Sequence, residues 1–301
     1  MKEHIQEIKA MDIGKIVENV PLSLHTTYKV GGVAKCFVYP QDTKKLIKLL
    51  KYIKKNNIKY KILGNGSNTL FSDKEYDGII IKLDRFDDIE IEGTTVTVGA
   101  GYNLIKLASL AAKKSLAGLE FASGIPGTLG GAVYMNAGAY KSDMGYIVKK
   151  VKVLTPDFKV INMTNRELNF HYRSSFFQKH SGYICLQVTL KLAKGKKEEI
   201  VKVNRERKQR RLESQPLEYP SAGSVFRNPE GLFAGKLIED LGFKGLMKGG
   251  AQISSKHANF IINKNKATAS DIKELIEFTK DAVEDKYNVK LKVEQEFVNW
   301  E

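Results

Sequence analysis

Apolar residues recur at the spacing of one helix face in several parts of the chain. Between residues 43 and 55 they share the segment with lysines, and Asp42 or Thr43 can supply the N-cap. Asn103 can begin a second helix, and Thr268 with Asp271 forms the capping-box pattern of a third. Further helices are predicted within residues 1–20, 196–212 and 233–241.

Strand-like apolar runs are more numerous than these helices. They cover residues 34–39, 59–63, 79–83, 90–99, 147–154, 160–163, 183–193, 251–254, 259–262 and 289–298. Strands and helices do not alternate strictly, and no glycine loop has the Gly-x-Gly-x-x-Gly form between a strand and a helix. The pattern therefore predicts an α+β protein and argues against a Rossmann-type nucleotide-binding fold.

One stretch, residues 122–140, does not fit this periodicity. It holds several glycines among small and hydroxyl residues, and no charge lies between Glu120 and Lys141. Glycine loses more backbone entropy on ordering than other residues, so the run is predicted to form neither a stable helix nor a strand. It is also too apolar for a disordered linker. We expect a backbone wall whose N–H groups can approach a bulky anionic ligand.

A second stretch of this kind, Gly64-Asn-Gly-Ser-Asn68, follows a predicted strand. Either loop alone is more simply interpreted as an ordinary tight turn. Two phosphate-cradling loops in one chain favour a long dinucleotide cofactor that is contacted at several points.

The overall charge adds little to this interpretation. The chain has 301 residues and a formal net charge of +15 at pH 7, with lysine spread along its whole length. The helix predicted at residues 196–212 is the one local feature basic enough for nucleic acid. Because no aromatic residues interleave with its charges, a solvated connector helix is the simpler interpretation.

Cysteine usage and hydropathy indicate the compartment. Cys36 and Cys185 lie far apart within apolar runs and lack metal-ligand spacing, so we expect buried thiols in a reducing environment and no metal site. No apolar signal-peptide core and no membrane-spanning run is present, which predicts a cytoplasmic protein.

Three polar residues embedded among apolar residues or glycines are candidates for chemistry. Arg173 lies among aromatics, Ser224 lies in a turn-rich segment, and Glu296 lies in the terminal predicted strand. A structural ion pair, a turn hydroxyl and a surface carboxylate are the respective alternatives, and composition alone favours those alternatives.

Six motifs carry a resemblance that covers residues 24–296. They are Thr27-Tyr-Lys-Val-Gly-Gly32, Leu63-Gly-Asn-Gly-Ser-Asn68, Gly124-Ile-Pro-Gly-Thr-Leu-Gly-Gly-Ala132 continuing to Asn136-Ala-Gly-Ala-Tyr140, Tyr172-Arg-Ser-Ser-Phe176, Ser221-Ala-Gly-Ser-Val-Phe-Arg-Asn-Pro229 and His257-Ala-Asn-Phe-Ile-Ile-Asn263. In this order they resemble the UDP-N-acetylenolpyruvoylglucosamine reductase family. The length is similar to that of the shorter family type, which lacks an inserted tyrosine loop.

The resemblance implies an FAD-binding region of the PCMH/vanillyl-alcohol-oxidase type, residues 1–205, with lobes at about 1–88 and 89–205. A smaller α+β substrate domain would follow at residues 206–301, with its terminal strand returning to the active site. It further implies non-covalent FAD, NADPH as hydride donor, and the enolpyruvyl ether of UDP-N-acetylglucosamine as substrate in bacterial peptidoglycan synthesis. No nucleic acid, membrane or obligate protein partner is implied.

The resemblance also implies roles for individual residues. Arg173 and Glu296 would stabilise an aci-carboxylate intermediate, and Ser224 would donate a proton to it. Residues implied in cofactor binding are Tyr28, Gly64, Asn65, Gly66, Ser67, Asn68, Ser123, Gly127, Thr128, Gly130, Gly131, Asn136, Ala137 and Gly138. Residues implied in substrate binding are Tyr172, Asn228, Arg211 and His257.

Two other interpretations remain at this stage. The first is another flavoenzyme of the same superfamily, which often attaches its flavin covalently to His or Cys. The second is a nucleic-acid binder that uses the basic helix, which would leave the glycine stretches without a purpose.

Overall fold

A computed structural model describes all 301 residues, and its regular elements are as follows. The helices are α1 (Lys2–Ala10), α2 (Thr43–Lys55), α3 (Leu104–Lys113), α4 (Leu129–Met135), α5 (Asn165–Leu168), α6 (Phe176–Lys179), α7 (Lys197–Ser214), α8 (Ala234–Asp240) and α9 (Ala269–Tyr287). The strands are β1 (Gly14–Pro21), β2 (Val33–Pro40), β3 (Tyr60–Ile62), β4 (Thr69–Phe71), β5 (Tyr76–Ile81), β6 (Ile89–Glu92), β7 (Thr95–Gly99), β8 (Leu116–Ala117), β9 (Gly138–Ala139), β10 (Ser142–Asp143), β11 (Val148–Leu154), β12 (Val160–Thr164), β13 (Ile184–Lys191), β14 (Ala193–Lys194), β15 (Met247–Lys248), β16 (Ala251–Ile253), β17 (Ile261–Asn263) and β18 (Glu296–Val298). Short 3₁₀ turns occur at Leu22–Leu24, Glu120–Ala122 and Met144–Tyr146.

The predicted helix caps are confirmed. The Asp42 carboxylate accepts from Lys45 N at 2.8 Å, and the Asn103 side chain accepts from Lys106 N at 2.9 Å. Thr268 and Asp271 form the reciprocal capping box at the start of α9. These contacts satisfy N–H groups that have no partner inside the helix, which explains why local sequence located the helix starts correctly.

The chain divides into two compact units, each assembled from separated segments. Unit one comprises Met1–Glu18, Cys36–Asn65 and Gly78–Gln209, and unit two comprises Asn19–Lys35, Gly66–Asp77 and Arg210–Glu301. Four of the five boundaries fall inside β1, β2, β5 and α7, and the fifth, between Asn65 and Gly66, falls in the loop between β3 and β4. A four-stranded sheet has the order β1-β2-β5-β3, in which β3 and β5 run parallel.

Unit one contains a five-stranded antiparallel sheet of order β12-β11-β13-β7-β6. Its apolar face joins one hydrophobic cluster with residues of α2, α3 and α4. The single strand predicted at residues 90–99 is wrong, because the chain forms a hairpin in which Glu92 pairs with Thr95. Gly93 turns the chain with φ +59°, a conformation that glycine adopts at no steric cost.

In unit two, α9 packs against the antiparallel sheet β15-β16-β17, and Ile272, Leu275 and Ile276 are buried beneath it. The strand predicted over residues 289–298 is only partly correct. Glu296–Val298 pairs in parallel with Thr69–Phe71, whereas upstream of it the one bridge joins Val293 to Phe226.

The glycine-rich stretch contains a helix, α4, and the two-residue strand β9, so the expectation that it forms neither a helix nor a strand is wrong. Thr128 caps this helix, and the N–H of Gly130 donates to Ala100 O at 2.7 Å. A Cβ at Gly130 would lie only 2.9 Å from the Cβ of Ala100. The missing side chain therefore allows close packing, which offsets the intrinsic helix cost of glycine, about 1 kcal/mol per residue.

The mixed helix and strand content confirms the predicted α+β class. Both cysteines are buried, as predicted, and burial raises the pKa of each thiol to about 12. None of the helices has the length and apolarity needed to cross a membrane.

Candidate active site

Arg173 lies at the tip of a tight turn in unit one. The backbones of His171 and Ser174 exchange two hydrogen bonds of 3.0 Å, and Arg173 between them has φ +52°. A left-handed backbone is unfavourable for a side chain as large as arginine and persists only where the surroundings enforce it. Gln178 contributes to this by donating to Arg173 O at 3.1 Å.

The Arg173 guanidinium is oriented by neighbouring groups. It donates to Gly138 O at 2.9 Å and lies 5.1 Å from the ring centre of Tyr172. Tyr172 itself is 53% exposed, so this turn presents an aromatic ring and a cation together. Such a pair suits a planar anionic group.

Asn136, assigned by resemblance to the cofactor, has its side chain inside unit one. It is 2% exposed, donates to His171 O at 2.8 Å and accepts from Gly145 N at 2.9 Å. It also ends α4 in the left-handed conformation, with φ 44°. The side chain of Asn136 thereby connects α4 to the Arg173 turn.

The two glycine-rich segments meet within unit one. A Cβ at Gly64 would lie 2.7 Å from Oγ1 of Thr128, so only glycine permits this approach. The adjoining Gly127 and Thr128 are fixed to the start of α3 through Leu104 N, which donates to Gly127 O at 3.0 Å. The convergence of two loops about sixty residues apart, the basis of the dinucleotide prediction, is thus present in the structure.

Most N–H groups at the start of α4 already have protein partners. Leu129 N donates to Tyr102 O at 2.9 Å, Gly130 N to Ala100 O at 2.7 Å, and Gly131 N to Thr128 Oγ1 at 3.3 Å. The start of this helix therefore offers little to a phosphate. Asn65, by contrast, has a backbone N–H that donates to no protein group.

The other cofactor candidates divide between the units. In unit one, Ser123 donates through its hydroxyl to Glu120 O at 2.9 Å, and Ala137 O accepts from Met144 N at 3.1 Å. In unit two, a Cβ at Gly66 would lie 2.3 Å from His25 O, and Ser67 and Asn68 follow on the same loop.

The donor chemistry of unit one fits an anionic dinucleotide such as FAD. Where Gly64 meets Thr128, the groups are peptide N–H, a hydroxyl, the Asn65 amide and the ammonium group of Lys82. Neutral donors and a cation are the groups that bind diphosphate.

Ser224 lies in unit two in a segment held from both sides. Val225 N donates to Asn259 O at 2.9 Å, and Val225 O accepts from Glu294 N at 2.8 Å. The Asn259 side chain, 4% exposed, accepts from Phe226 N and donates to Phe226 O at 2.9 and 2.8 Å. The Ser224 hydroxyl makes no hydrogen bond within the protein, which leaves it available to a ligand.

Glu296 lies on the segment whose Glu294 N–H bonds to Val225, next to Ser224. Its backbone N–H donates to Asn68 O at 2.9 Å, and the Asn68 side chain donates to Glu294 O at 3.1 Å. Beyond it, the indole N–H of Trp300 donates to Leu70 O at 2.9 Å. The backbone of unit two therefore brings Ser224 and Glu296, far apart in sequence, onto neighbouring segments.

Tyr28 is completely buried in unit two. Its hydroxyl donates to Gln295 Oε1 at 3.0 Å, and Gln295 in turn donates to Ala222 O at 3.3 Å. Burial raises the pKa of Tyr28 well above its usual range. Any contribution of its side chain to a site is made through Gln295, the residue preceding Glu296.

The substrate candidates in unit two are less closely grouped. Asn228 is exposed and accepts from Ala234 N at 3.1 Å at the start of α8, and Arg211 lies near the end of α7. The ring of His257 accepts from Asn259 N at 3.2 Å. Burial, followed by the charge of Lys244, lowers the pKa of His257.

Sequence reasoning did not assign roles to Asn259 and Gln295. Both are buried polar residues, 4% and 5% exposed, and both bond to the backbone around Ser224. The available signal was a polar residue inside an apolar run, since Asn259 lies between Ala258 and Phe260.

The structure also bears on the two rival interpretations. Burial and the raised pKa of Cys36 and Cys185 disfavour a covalent flavin on either thiol. In the basic helix α7, Arg207 lies 4.7 Å from the ring centre of Tyr140, whose hydroxyl donates to Arg207 O at 3.1 Å. Part of its basic surface therefore packs within unit one.

Comparison with known proteins places the chain among relatives of similar length. Residues 34–164 match the family described as FAD binding domain, and residues 215–298 match the C-terminal domain of UDP-N-acetylenolpyruvoylglucosamine reductase. The reductase of Anoxybacillus flavithermus is 47% identical over 99% of both chains, and that of Bacillus subtilis is 43% identical over the same share. The crystal structure of the Thermus caldophilus reductase superposes with a TM-score of 0.80 at 36% identity, covering 94% of this chain and 98% of that one. The chain therefore belongs to the UDP-N-acetylenolpyruvoylglucosamine reductase family.

Proposed function

We propose that this FAD-dependent oxidoreductase reduces the enolpyruvyl ether of UDP-N-acetylglucosamine to UDP-N-acetylmuramate, a step of peptidoglycan-precursor synthesis. The observation that carries the proposal is the match over 99% of the chain to reductases of this name. The reaction adds a hydride to the terminal methylene carbon of the enolpyruvyl group and a proton to the adjacent carbon. The hydride would be supplied by bound FAD after its reduction by NADPH.

The two ligands are assigned to different parts of the chain. FAD belongs to residues 1–205, and the substrate belongs to residues 206–301 together with Tyr172 and Arg173 of the first part. The FAD-binding-domain match at residues 34–164 and the C-terminal-domain match at residues 215–298 support this division. The reaction takes place in the bacterial cytoplasm, where NADPH and nucleotide sugars are found.

Arg173 stabilises the negative charge that spreads into the substrate carboxylate once hydride has arrived. A cation held in advance where charge develops lowers the barrier without reorganisation during the reaction. The positive φ of Arg173 and the hydrogen bonds that enforce its turn support this role. Lysine would not replace it, because a planar guanidinium matches a carboxylate at two points.

Ser224 donates the proton and Glu296 assists in stabilising the intermediate. The available Ser224 hydroxyl supports proton donation, and the hydrogen bonds of Val225 to Asn259 and Glu294 support a fixed position for it. A serine is a weak acid in water, but transfer over a short distance to a strongly basic carbon is feasible.

Tyr172, Asn228, Arg211 and His257 bind the substrate. Tyr172 adjoins Arg173, and Asn228 lies in the motif that also contains Ser224. The net charge of +15 is favourable for FAD, NADPH and a UDP-sugar, all of which are polyanions.

An anaerobic two-step experiment tests the proposal. NADPH is added to the purified FAD-loaded protein until the flavin absorbance bleaches, and UDP-N-acetylglucosamine enolpyruvate then follows. Return of the oxidised spectrum with formation of UDP-N-acetylmuramate is the expected result. A flavin that bleaches and then stays reduced would contradict the substrate assignment, and a protein that binds no FAD would contradict the cofactor.

A further inference from the structure

Lys82 is a buried cation that no predicted role uses. It follows β5 in unit one, and its side chain is only 7% exposed. Its Nζ donates to the carbonyl oxygen of Gly64, and the nearest carboxylate, Oδ1 of Asp84, is 3.7 Å away and half exposed. Lysine is almost never fully buried unless paired, because its charge loses hydration. Its location therefore requires an explanation.

The Lys82 contact fixes the orientation of one peptide group. The chain contains no cis peptide bond, and in a trans peptide the C=O and the following N–H point in opposite directions. Because Lys82 holds the Gly64 carbonyl, the N–H of Asn65 must point away from Lys82. That N–H donates to no protein group.

This peptide also lies where the two glycine-rich segments meet. The Gly64 Cα approaches Thr128 so closely that a Cβ would lie 2.7 Å from its hydroxyl oxygen. A cation bonded to the carbonyl polarises the peptide and makes the N–H on its other side a stronger donor. The Gly64–Asn65 peptide therefore offers a fixed and polarised N–H donor, which suits an anion, beside the loop that contains Thr128.

We propose that Lys82 is a positioning residue that fixes the Gly64–Asn65 peptide with its N–H available to the diphosphate of FAD, and thereby sets FAD affinity. This role explains why a lysine is buried here, because the anion that its charge attracts is the diphosphate of the ligand. Burial also lowers the pKa of Lys82, which the approach of an anion would oppose. This inference depends on FAD being the cofactor, as it is in the proposed function, and does not depend on the roles proposed for the catalytic residues.

Flavin binding to apoprotein tests this role without measuring turnover. FAD and riboflavin, which lacks the diphosphate, are titrated into apoprotein while flavin fluorescence is followed. Lys82→Met is expected to raise the dissociation constant for FAD about tenfold or more and that for riboflavin less than about twofold. Lys82→Gln, which keeps a donor without the charge, is expected to give an intermediate loss. Lys152→Met, at an exposed strand position of the same unit, controls for the lost charge and is expected to change neither value.

Several outcomes would overturn the inference. Lys82→Met could bind FAD as the wild type does, or it could lose FAD and riboflavin equally, which indicates a general structural role. If Lys82→Met does not fold, Asn65→Pro is compared with Asn65→Ala, because both variants remove the side-chain amide and keep the lysine, whereas only proline also deletes the backbone N–H. FAD binding by Asn65→Pro that equals that of Asn65→Ala would contradict the proposal, and a further loss specific to FAD would support it. A wild-type protein without FAD affinity would overturn the cofactor assignment as well.

Discussion

The backbone N–H of Glu294 donates to the carbonyl oxygen of Val225 at 2.8 Å. This bond connects the segment that carries Ser224 to the segment that carries Glu296. Neither segment belongs to a large sheet, and on the opposite side of Val225 the buried amide of Asn259 bonds to Phe226. The positions of the two candidate catalytic groups therefore depend on a few buried hydrogen bonds.

Replacing Asn259 should accordingly affect both stability and one half-reaction. Asn259→Ala leaves the N–H and C=O of Phe226 without their partner, and burying such groups unpaired costs about 1–3 kcal/mol each. We expect a lower free energy of unfolding in urea, and slower reoxidation of reduced flavin by substrate at an unchanged rate of reduction by NADPH.

Asn265→Ala is the matched control, because Asn265 is exposed in the same unit. Its free energy of unfolding should stay within about 0.5 kcal/mol of the wild-type value. Equal slowing of both half-reactions in Asn259→Ala would indicate general damage and contradict the positioning role.

Arg173 provides a separable test of strain and function. Both Arg173→Ala and Arg173→Gly remove the guanidinium and should lower turnover about 10²–10³-fold. Only glycine also relieves the left-handed backbone at φ +52°. The free energy of unfolding in urea should therefore be higher for Arg173→Gly than for Arg173→Ala, by about 1 kcal/mol.

Arg166→Ala, an exposed arginine of α5, is the control and should retain turnover within about twofold. Full activity in Arg173→Ala would remove Arg173 from the mechanism. An Arg173→Gly variant less stable than Arg173→Ala would show that the turn is not strained.

Two adjacent glycines of α4 should respond to alanine in opposite ways. At Gly130 a Cβ would lie 2.9 Å from Ala100 Cβ and 3.1 Å from Ala100 O, and forcing such a contact costs about 1–3 kcal/mol. At Gly131 it would meet only Thr128 Oγ1, at 3.3 Å, so the better helix propensity of alanine can contribute up to about 1 kcal/mol.

Thermal unfolding of the two apoproteins measures this difference, each variant serving as control for the other. Gly130→Ala should lower the Tm, and Gly131→Ala should leave it unchanged or raise it. Equal loss of stability in both variants would contradict the close-packing explanation of α4.

These glycines also show how far local sequence information reaches. The pattern predicted that residues 64–68 and 122–140 act together, and Gly64 does meet Thr128. It could not predict α4, because the helix depends on the close approach of Gly130 to Ala100 in a distant segment. Helix starts with a local cap, such as Asn103, were predicted correctly because their partners lie within four residues.

The polar framework of the candidate site was predictable only in part. Arg173, Ser224 and Glu296 were recognisable as polar residues among apolar residues or glycines, and the family resemblance implied their roles. Asn259 and Gln295, by contrast, act through buried bonds to distant backbone groups. Such bonds follow from tertiary packing and leave little local trace, apart from a polar residue in an apolar run. Lys82 is similar, because it lies in the apolar run predicted as a strand at residues 79–83, and nothing local distinguishes a buried lysine there from an ordinary solvated one.

The stability of unit two depends on pH through His257. Burial, followed by the charge of Lys244, lowers its pKa below the usual 6.5, and its ring accepts from Asn259 N at 3.2 Å. As pH falls through 6.5 the unfolded chain binds a proton that the folded chain does not. Stability is therefore fully present above this range and decreases as pH falls, until the lower folded pKa is reached.

His257→Asn should weaken this dependence, since the asparagine oxygen can still accept from Asn259 N but does not titrate. Urea unfolding is measured at pH 7.5 and pH 5.5 for the wild type and for His257→Asn. Other groups that titrate in this range contribute equally to both proteins, so their effect cancels in the comparison. Between these pH values the wild type should lose more stability than the variant, by less than about 1 kcal/mol because the ring is partly exposed and screened. An equal or larger loss in His257→Asn would show that the imidazole is not held neutral by burial.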